Sequence, residues 1–173
     1  MFRGEEMRKI YTFRGEVILV SNQDYKKVSK WKWWVKNGYA IREFYDNAKH
    51  RTIKMHRFIL GLMSEVDRDI WVDHINRNRL DNRRSNLRRV TKVQSAYNRG
   101  KNRNSRSKYR GVTQVQNSEN GKIVMYKTWS ANIYFNDKHY YLGTHKTQEE
   151  AALAYNNAAK KFFGKYATLN AIL

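Results

Sequence analysis

The sequence predicts an α+β fold because short strand-like runs fill most of the chain, whereas a long helical pattern occurs only near its end. Runs rich in β-branched and aromatic residues recur, and dipeptides typical of turns separate them. The expected architecture is an N-terminal β-rich segment, a central module of two strands and one helix, and a three-stranded antiparallel sheet packed on one helix. The length of 173 residues allows one ordinary domain or two small ones.

The first part of the chain has the pattern of a small sheet with a helix. Residues 9–21 predict two short strands around Arg14-Gly15, because apolar residues flank a pair that favours a turn. A short helix is expected from Asn22 through Val28. Asn37-Gly38 lies between two further strand-like runs and predicts a hairpin, since both residues tolerate positive φ.

A strand and a short helix are expected next. Residues 52–55 have the composition of a strand, and residues 56–62 are typical of a short helix that ends at Gly61 or at Met63-Ser64. Three tryptophans precede this region, and we expect them mainly in the hydrophobic core, with stacking on nucleic-acid bases as the alternative. They are Trp31, Trp33 and Trp34.

The central region predicts two strands joined by a polar loop. Residues 71–75 form the first strand, residues 76–86 form a loop rich in Asn, Arg and Asp, and residues 87–90 form the second strand. Thr91 is a suitable N-cap for a helix that runs to about Asn98. This region therefore predicts a compact unit with the order strand, loop, strand, helix.

A basic linker divides the chain, and four segments are expected in all. Residues 99–108 contain five basic residues and no large apolar side chain, so we expect a basic linker there. The linker separates a central module at residues 55–98 from a C-terminal unit at residues 109–173. The N-terminal β-rich segment occupies residues 1–54. A basic linker is well suited to lie along a phosphate backbone.

The C-terminal unit predicts a three-stranded antiparallel sheet. Strand-like runs begin at Tyr109, Trp129 and His139, and Trp129 is expected in the core. Asn120-Gly121 and Asn136-Asp137 lie between these runs and are typical of tight turns.

One helix follows the last strand. Thr147 and Glu150 have the spacing of a capping box, in which each residue hydrogen-bonds the backbone of the other. Gly164 is expected to end the helix. Between them, four residues recur at helical spacing and share one face: Ala151, Tyr155, Ala158 and Phe162. The small alanines allow this helix to pack closely against the sheet.

The charge excess indicates a polyanionic partner. The chain has 35 Lys and Arg against 15 Asp and Glu, a net charge of +20. Residues 71–110 carry +11 of this, and residues 111–173 carry only +3. Nucleic acid is the first candidate and an anionic membrane surface the second, and the concentration of charge around a polar loop favours nucleic acid. A solvated face or a disordered arm is the simplest alternative for a basic run.

Composition excludes several classes of protein. With 12 Tyr, 7 Phe and 5 Trp, the chain is too aromatic for a disordered basic tail. It has no apolar run of about 18 residues, so no membrane partner or span is expected. A charged-then-apolar leader is absent, so a cytoplasmic, non-secreted protein is expected. Without cysteine, neither disulfides nor a zinc–cysteine site can form.

Asp73 and His74 adjoin at the end of a predicted strand and suggest phosphodiester chemistry. Hydrolysis of a phosphodiester needs an activated water, a cation on the scissile phosphate and stabilisation of the leaving oxygen. A neutral histidine accepts a water proton near pH 7, and carboxylate and amide oxygens suit Mg²⁺. Neighbouring strand residues point to opposite faces, so a loop or twist must bring both side chains to one site. A structural histidine is the alternative.

The signature around this pair resembles that of HNH homing endonucleases of the intron-encoded or phage type. Its ordered elements within residues 55–98 are Asp73-His74, Asn78, Asp81-Asn82, the run from Ser85 to Arg88, and a helix that carries asparagine. The resemblance implies a ββα-metal fold and hydrolysis of DNA with a single metal. It also implies that His74 is the general base, that Asp73 ligates the metal, and that Asn86 orients the His74 loop or ring.

The resemblance implies one divalent metal, with Mg²⁺ as the expected ion and Mn²⁺ as the alternative. The last metal ligand of the family, an asparagine on the helix, corresponds to Ser95 here. Because a serine oxygen is a poorer ligand than an amide carbonyl, Asn98 could substitute, or a water could bridge from Ser95. His56 also recurs in the family, and for it a structural or phosphate-contacting role is favoured over a catalytic one.

Basic residues surround the polar loop and continue into the linker. Arginine is suited to bidentate phosphate contacts, so some of these side chains would clamp the scissile strand while others keep the loop solvated. The candidate phosphate ligands are Arg77, Arg79, Arg83, Arg84, Arg88, Arg89, Arg99, Lys101 and Arg103.

Residues 107–170 resemble the Apetala-two/ethylene-response-factor DNA-binding domain. The matching stretches include Tyr109 to Val112, Trp129 to Ile133 and Ala167 to Asn170. This resemblance implies that the sheet lies in the DNA major groove. By position, the implied base-reading residues are Arg110, Thr113, Val115, Asn132, Tyr134, His139 and Tyr141. Several of these positions are Arg or Trp in the plant factors, so the target sequence must differ.

Together these features predict a site-specific, Mg²⁺-dependent endonuclease of the homing type that acts on double-stranded DNA. One active site per chain predicts that a monomer nicks DNA. A double-strand break is expected only if two chains act together as a dimer assembled on DNA. A sequence-specific DNA-binding protein with a weakened or inactive nuclease module is the second hypothesis, and Ser95 is the residue that favours it. A basic structural or RNA-binding protein is the third, because aromatic strands also suit RNA.

Overall fold

The computed structural model describes residues 7–102, 104–119 and 122–172. The chain divides into two compact units, Met1–Ser95 and Ala96–Leu173. Both units combine strands with helices, so the predicted α+β class is confirmed. The predicted Asn120-Gly121 turn and the candidate phosphate ligand Arg103 lie outside the described residues. In the described part of the chain, no helix has both the length and the apolar character needed to cross a membrane.

Three small sheets form the first unit. Its elements are Met7–Tyr11 (β1), Val17–Ser21 (β2), Asn22–Val28 (α1), Trp34–Lys36 (β3), Tyr39–Asp46 (β4), Lys49–Lys54 (β5), Met55–Ile59 (α2), Trp71–His74 (β6), Asp81–Asn82 (β7), Leu87–Val90 (β8) and Lys92–Tyr97 (α3), whose last two residues belong to the second unit. Strands β1 and β2 are antiparallel, and the short β7 runs parallel to β2. Strands β3, β4 and β5 form two consecutive hairpins, and β6 pairs with β8.

Residues with positive φ set the two hairpins. Asn37 and Gly38 have φ values of 53° and 76° and join β3 to β4, as the Asn-Gly pair predicts. Asn47 and Ala48, at 46° and 61°, join β4 to β5. Because alanine seldom adopts a positive φ, the sequence carries no clear signal for this second turn.

One hydrophobic core holds the first unit together. Ile18 and Val20 of β2 pack with Met55 and Ile59 of α2, and Leu87 of β8 joins them. Residues before and after position 54 therefore share the same core.

The tryptophan cluster is divided between this core and the surface. Trp33 is 4% exposed and packs in the core, whereas Trp31 and Trp34 are 42% and 39% exposed. The prediction that these tryptophans are mainly core is therefore wrong for Trp31 and Trp34. The guanidinium carbon of Arg42 lies 3.5 Å from the centre of the Trp31 ring. Trp31 therefore makes a cation–π contact with Arg42.

Strands β6 and β8 and helix α3 form the predicted order of strand, loop, strand and helix. Asp73 lies opposite Arg88 in the ladder, and His74 lies opposite Leu87. The Thr91 hydroxyl accepts a hydrogen bond from the Gln94 backbone, and the Gln94 side chain accepts one from the Thr91 backbone. This reciprocal pair satisfies backbone donors that have no partner within the helix and explains why α3 begins where it does.

The second unit contains a three-stranded antiparallel sheet covered by one helix. Its main elements are Val112–Glu119 (β9), Lys122–Phe135 (β10), Lys138–His145 (β11) and Gln148–Phe163 (α4). Strand β10 lies between β9 and β11. Strands β9 and β10 are longer than the sequence predicts. The register shifts between Met125 and Trp129, and this shift interrupts the alternation of side chains by which a strand is recognised in sequence.

Helix α4 packs closely on one face of this sheet. The predicted Thr147 and Glu150 capping box begins the helix, and Ala151 and Ala152 are fully buried against the sheet. Gly111 has a φ of 73°, and a Cβ atom at this position would lie 2.1 Å from Cδ2 of Tyr155. The close approach of the Tyr155 ring therefore requires glycine.

Candidate functional site

Asp73 and His74 lie at the end of β6 and have different surroundings. His74 is 4% exposed and packs inward. Asp73 forms an ion pair with Arg88, whose Nη2 atom lies 2.8 Å from Oδ2 of the carboxylate. Because side chains alternate along a strand, adjacent positions supply a buried imidazole and a paired carboxylate.

Two rings surround the His74 imidazole. The His56 ring meets it edge to face with the centroids 5.0 Å apart, and the Tyr39 ring lies 6.1 Å away. Burial is the largest cause that lowers the pKa of His74, while the Asn82 side chain and the charges of Asp73 and Asp81 act in the opposite direction. The lowered pKa keeps the ring neutral at neutral pH, and a neutral imidazole can accept a proton.

His56 is the second buried histidine of this cluster. It is 5% exposed, and its ring centroid lies 5.4 Å from that of Tyr39. Burial lowers the pKa of His56 to about 3, with further repulsion from His74, Lys54 and Arg57. This burial favours the structural role over a phosphate contact. Tyr39 was not among the predicted site residues, because it is distant from His74 in sequence and reaches it only through the fold.

Asn86 braces the loop that follows His74. Its side-chain oxygen accepts a hydrogen bond from the Asn76 backbone at 2.9 Å, and its amide nitrogen donates to the Asp81 carbonyl at 2.7 Å. The Asn86 carbonyl also accepts from the Ile75 backbone at 2.9 Å. Asn86 is 6% exposed, so these bonds are shielded from water and hold both ends of the loop.

Asp81 is a further loop-holding residue, for which sequence reasoning assigned no role. Its carboxylate accepts hydrogen bonds from the Asn76 amide at 2.8 Å and from the Arg83 guanidinium at 2.6 Å. Burial by itself would raise the pKa of Asp81, but the hydrogen bonds from Arg83 and Asn76 outweigh it and lower the pKa. The signal was present in the sequence as the Asp81-Asn82 element of the signature, but its function is visible only in the fold.

The candidate metal ligands differ in their surroundings. Arg88 donates two hydrogen bonds to Asp73, and both end on Oδ2. Ser95 is half-buried on α3, and its backbone nitrogen donates to the Thr91 carbonyl. Asn98 is buried in the second unit, where its side-chain oxygen accepts a hydrogen bond from the Thr168 hydroxyl.

This donor set fits an open site for a hard cation. Among the residues that the structure describes, no group of three His, Cys, Asp or Glu side chains could hold a metal. Mg²⁺ is commonly bound by only one or two carboxylates, with phosphate oxygens and water completing its coordination. Asp73 supplies one such carboxylate, in an ion pair with Arg88.

Most arginines around the loop make contacts within the first unit. Arg83 pairs with Asp81, Arg84 with Asp24, and Arg88 with Asp73. Arg79 donates to the Asn37 carbonyl and Arg89 to the Leu60 carbonyl. Arg77 differs from these, because it is exposed in the loop and has a φ of 64°. These arginines therefore contribute to structure as well as to the positive charge.

The candidates near the start of the second unit fall into two groups. Arg99 and Lys101 are exposed. Arg110 is partly buried, and its guanidinium donates hydrogen bonds to the backbone carbonyls of Ala96 and Tyr97. Arg110 therefore joins segments of its own unit rather than projecting from the sheet.

The other predicted base-reading residues lie on the strands of the C-terminal sheet. Tyr134 pairs with His139, and Asn132 pairs with Tyr141, across β10 and β11. Thr113 of β9 lies opposite Ser130 of β10. Val115 is half-buried two residues after Thr113. The alternate residues, such as Ile133, face α4, so these positions occupy the uncovered side of the sheet.

Comparison with known proteins identifies the family. A family model described as HNH endonuclease matches residues 65–97, which include the Asp73-His74 pair, the loop that Asn86 braces and all of α3. An uncharacterized HNH endonuclease of Acanthamoeba polyphaga mimivirus is 35% identical over 162 residues, which are 92% of this chain and 77% of the viral protein. No solved structure matches. The chain belongs to the HNH endonuclease family, and this membership supports a nuclease function.

Proposed function

We propose that the protein is a site-specific DNA endonuclease of the homing type that uses one divalent metal. The observation that carries this proposal is the buried His74 imidazole at the end of β6, within the family-matched region, where burial lowers its pKa and favours the neutral form. Phosphodiester hydrolysis at neutral pH needs such a base.

In the proposed mechanism, the His74 imidazole accepts a proton from the water that attacks phosphorus. The water approaches in line with the departing 3′ oxygen. His74 is 4% exposed in the free protein, so access of water requires the side chains around the ring to shift. Asn86 and Asp81 hold the loop after His74 and so keep the ring in position.

The proposed metal is Mg²⁺, with Mn²⁺ as the alternative, and Asp73 would hold it. A bound divalent ion would stabilise negative charge on the departing oxygen. Ser95 and Asn98 remain alternative contributors. The Thr168 hydrogen bond to Asn98 competes with coordination by the same oxygen and favours Ser95, either directly or through a water.

We further propose that the C-terminal sheet selects the target by lying in the major groove of duplex DNA. Phosphate contacts supply affinity with little sequence choice, whereas contacts to base edges supply specificity. The +20 net charge supports the first kind of contact, and the uncovered side of the sheet supports the second. Each chain has one proposed active site, so a monomer would nick DNA and a dimer assembled on DNA could cut both strands.

A plasmid assay tests the catalytic proposal. Supercoiled plasmids with random inserts are incubated with the full chain and Mg²⁺, and conversion to nicked circles is measured. His74→Ala is expected to reduce the rate by about 100-fold or more, because the base is lost. His50→Ala, which removes an exposed histidine on β5, is the matched control and should cleave normally. Equal rates for His74→Ala and the wild type would contradict the proposal.

A second candidate function is sequence-specific DNA binding with a weakened nuclease module. The specific observations that favour it are serine at position 95 and the Arg88 ion pair at Asp73. In the same plasmid assay, a large gain in cleavage by Ser95→Asn would show that the natural site is impaired. An unchanged rate in an active enzyme would remove the support that Ser95 gives to this candidate.

A further inference from the structure

The uncovered side of the C-terminal sheet has an unusual composition for a protein with a charge of +20. Three cross-strand rows form this surface, which we call the open face: Thr113–Ser130–Thr144, Asn132–Tyr141 and Tyr134–His139. None of these side chains is Arg or Lys. Two tyrosines project strongly, with exposed fractions of 69% for Tyr134 and 61% for Tyr141. The open face is therefore polar and aromatic rather than cationic.

Asn132 lies at the centre of the open face in a fixed orientation. Its amide nitrogen donates a hydrogen bond to the Ser130 hydroxyl at 3.1 Å, and its oxygen lies 3.0 Å from Nε2 of His139. A carboxamide has two N–H donors and two acceptor positions. These contacts use one of each, so one donor and one acceptor of the carboxamide remain for a ligand.

This remaining pair matches adenine rather than guanine. In the major groove, adenine presents the N6 amino donor next to the N7 acceptor, and asparagine can bond both. Guanine presents two acceptors, N7 and O6, which are usually bonded by arginine or lysine. The open face offers no such cation, and Arg110, the one predicted base reader with a guanidinium, is directed to the carbonyls of Ala96 and Tyr97.

The aromatic and methyl groups of the open face suit the partner base. Thymine carries a 5-methyl group in the major groove, and apolar contacts to this methyl group distinguish it from cytosine. The rings of Tyr134 and Tyr141 flank Asn132 along the sheet, and the Thr113 side chain adds a methyl group on β9.

We propose that the open face selects A·T base pairs in the DNA major groove, with Asn132 bonding adenine and the tyrosine rings contacting thymine methyl groups. This inference rests on the proposed role of the sheet in target selection and names the base pairs that it reads. Duplex DNA is the expected occupant because the rest of the chain, which has a net charge of +20, supplies the positive charge that the open face lacks.

Selection from random duplexes tests the inference with the full chain in the absence of divalent metal, so that DNA is not cut. The expected result is a selected sequence whose core is rich in A·T pairs. A selected core of G·C pairs would overturn this inference but leave the targeting role of the sheet intact. Binding with no sequence preference at any salt concentration would overturn both.

Base analogues and matched variants test whether the open face causes the preference for A·T pairs. Replacing thymine by deoxyuridine, or adenine by 7-deazaadenine, in the selected duplex should weaken wild-type binding several-fold. Asn132→Ala should reduce the preference for A·T over G·C by about 10-fold. Asn157→Ala, the same change at an exposed site on α4, should leave it unchanged.

A gain of guanine recognition separates base reading from a folding defect. Asn132→Arg should shift selection toward G·C pairs, because arginine bonds N7 and O6 of guanine. If the analogues and Asn132→Arg leave the preference unchanged, the open face does not read these bases and the inference is overturned. If Asn132→Ala fails to fold, the analogue measurements on the wild type decide the question.

Discussion

At the scale of single residues, the buried His56 ring couples stability to pH. Burial, followed by repulsion from His74, Lys54 and Arg57, lowers the pKa of His56 from 6.5 to about 3. Between these two values the unfolded chain binds a proton that the folded chain excludes. The contribution is fully present above about pH 6.5, and the stability of the first unit should decrease as the pH falls through this window.

Removal of His56 should flatten this dependence. Without the ring, the slope of unfolding free energy against pH between about pH 4.5 and 6 should decrease by up to about 1.4 kcal/mol per pH unit, which corresponds to one proton. Urea unfolding of His56→Gln and the wild type, followed by tryptophan fluorescence, measures the two slopes. His50→Gln, an exposed histidine, should keep the wild-type slope. Identical slopes for all three proteins would show that His56 titrates normally.

The sequence predicted the chemistry of single residues better than their contacts. Asp73 and His74 were identifiable because their types and order form a pattern. Tyr39 was not, since it meets His74 only after distant segments pack together. Arg84 was counted as a phosphate ligand from its charge, yet its guanidinium pairs with Asp24, a partner that no local pattern indicates.

At the scale of elements, the contact of α4 with its sheet depends on Gly111. A Cβ atom at this position would overlap the Tyr155 ring and lie 2.7 Å from the Asn132 carbonyl. Gly111→Ala should therefore destabilise the second unit by more than about 3 kcal/mol, through overlap added to positive-φ strain. Gly164→Ala is the matched control, since its φ is also positive but open space surrounds it, and it should cost about 1–2 kcal/mol.

Thermal unfolding of the two glycine variants checks this prediction. The Gly111→Ala transition should shift to a clearly lower temperature than that of Gly164→Ala. Equal shifts would mean that Tyr155 moves aside without cost, and that the approach of helix to sheet is looser than the structure indicates.

Elements with a clear local sequence pattern were predicted correctly, and elements without such a pattern were missed. The capping box of α4 and the Asn37-Gly38 hairpin are local chemistry and appear where expected. Strand β7 was missed because two residues carry no periodicity, and it exists only through pairing with β2. The extension of β9 and β10 was missed because the irregularity in their register breaks the alternation that marks a strand.

At the scale of the whole molecule, not all of the positive charge is available to DNA. Arg77 is exposed in the loop, whereas Arg84 pairs with Asp24, whose side chain is 4% exposed. Arg77→Ala should reduce the slope of log binding constant against log salt concentration by about 1, uniformly across DNA sequences. Arg84→Ala should leave this slope unchanged and instead lower the free energy of unfolding by about 2–3 kcal/mol.

Fluorescence anisotropy with a labelled duplex at several salt concentrations, without divalent metal, measures the slopes. Chemical denaturation measures the stabilities. A reduced slope for Arg84→Ala equal to that of Arg77→Ala would show that the Asp24 pair opens when DNA binds.

The parallel pairing of β7 with β2 has a consequence for how this protein could have been assembled in evolution. The loop after His74 is joined to the N-terminal sheet by this pairing, by the Leu19 bond to the Leu80 carbonyl, and by the Arg84 bond to Ser21. A gene fragment that encoded only the family-matched region would lack the N-terminal partners of these hydrogen bonds. Productive recombination should therefore exchange the first 95 residues as one inherited block, with crossovers favoured near the junction of the two units.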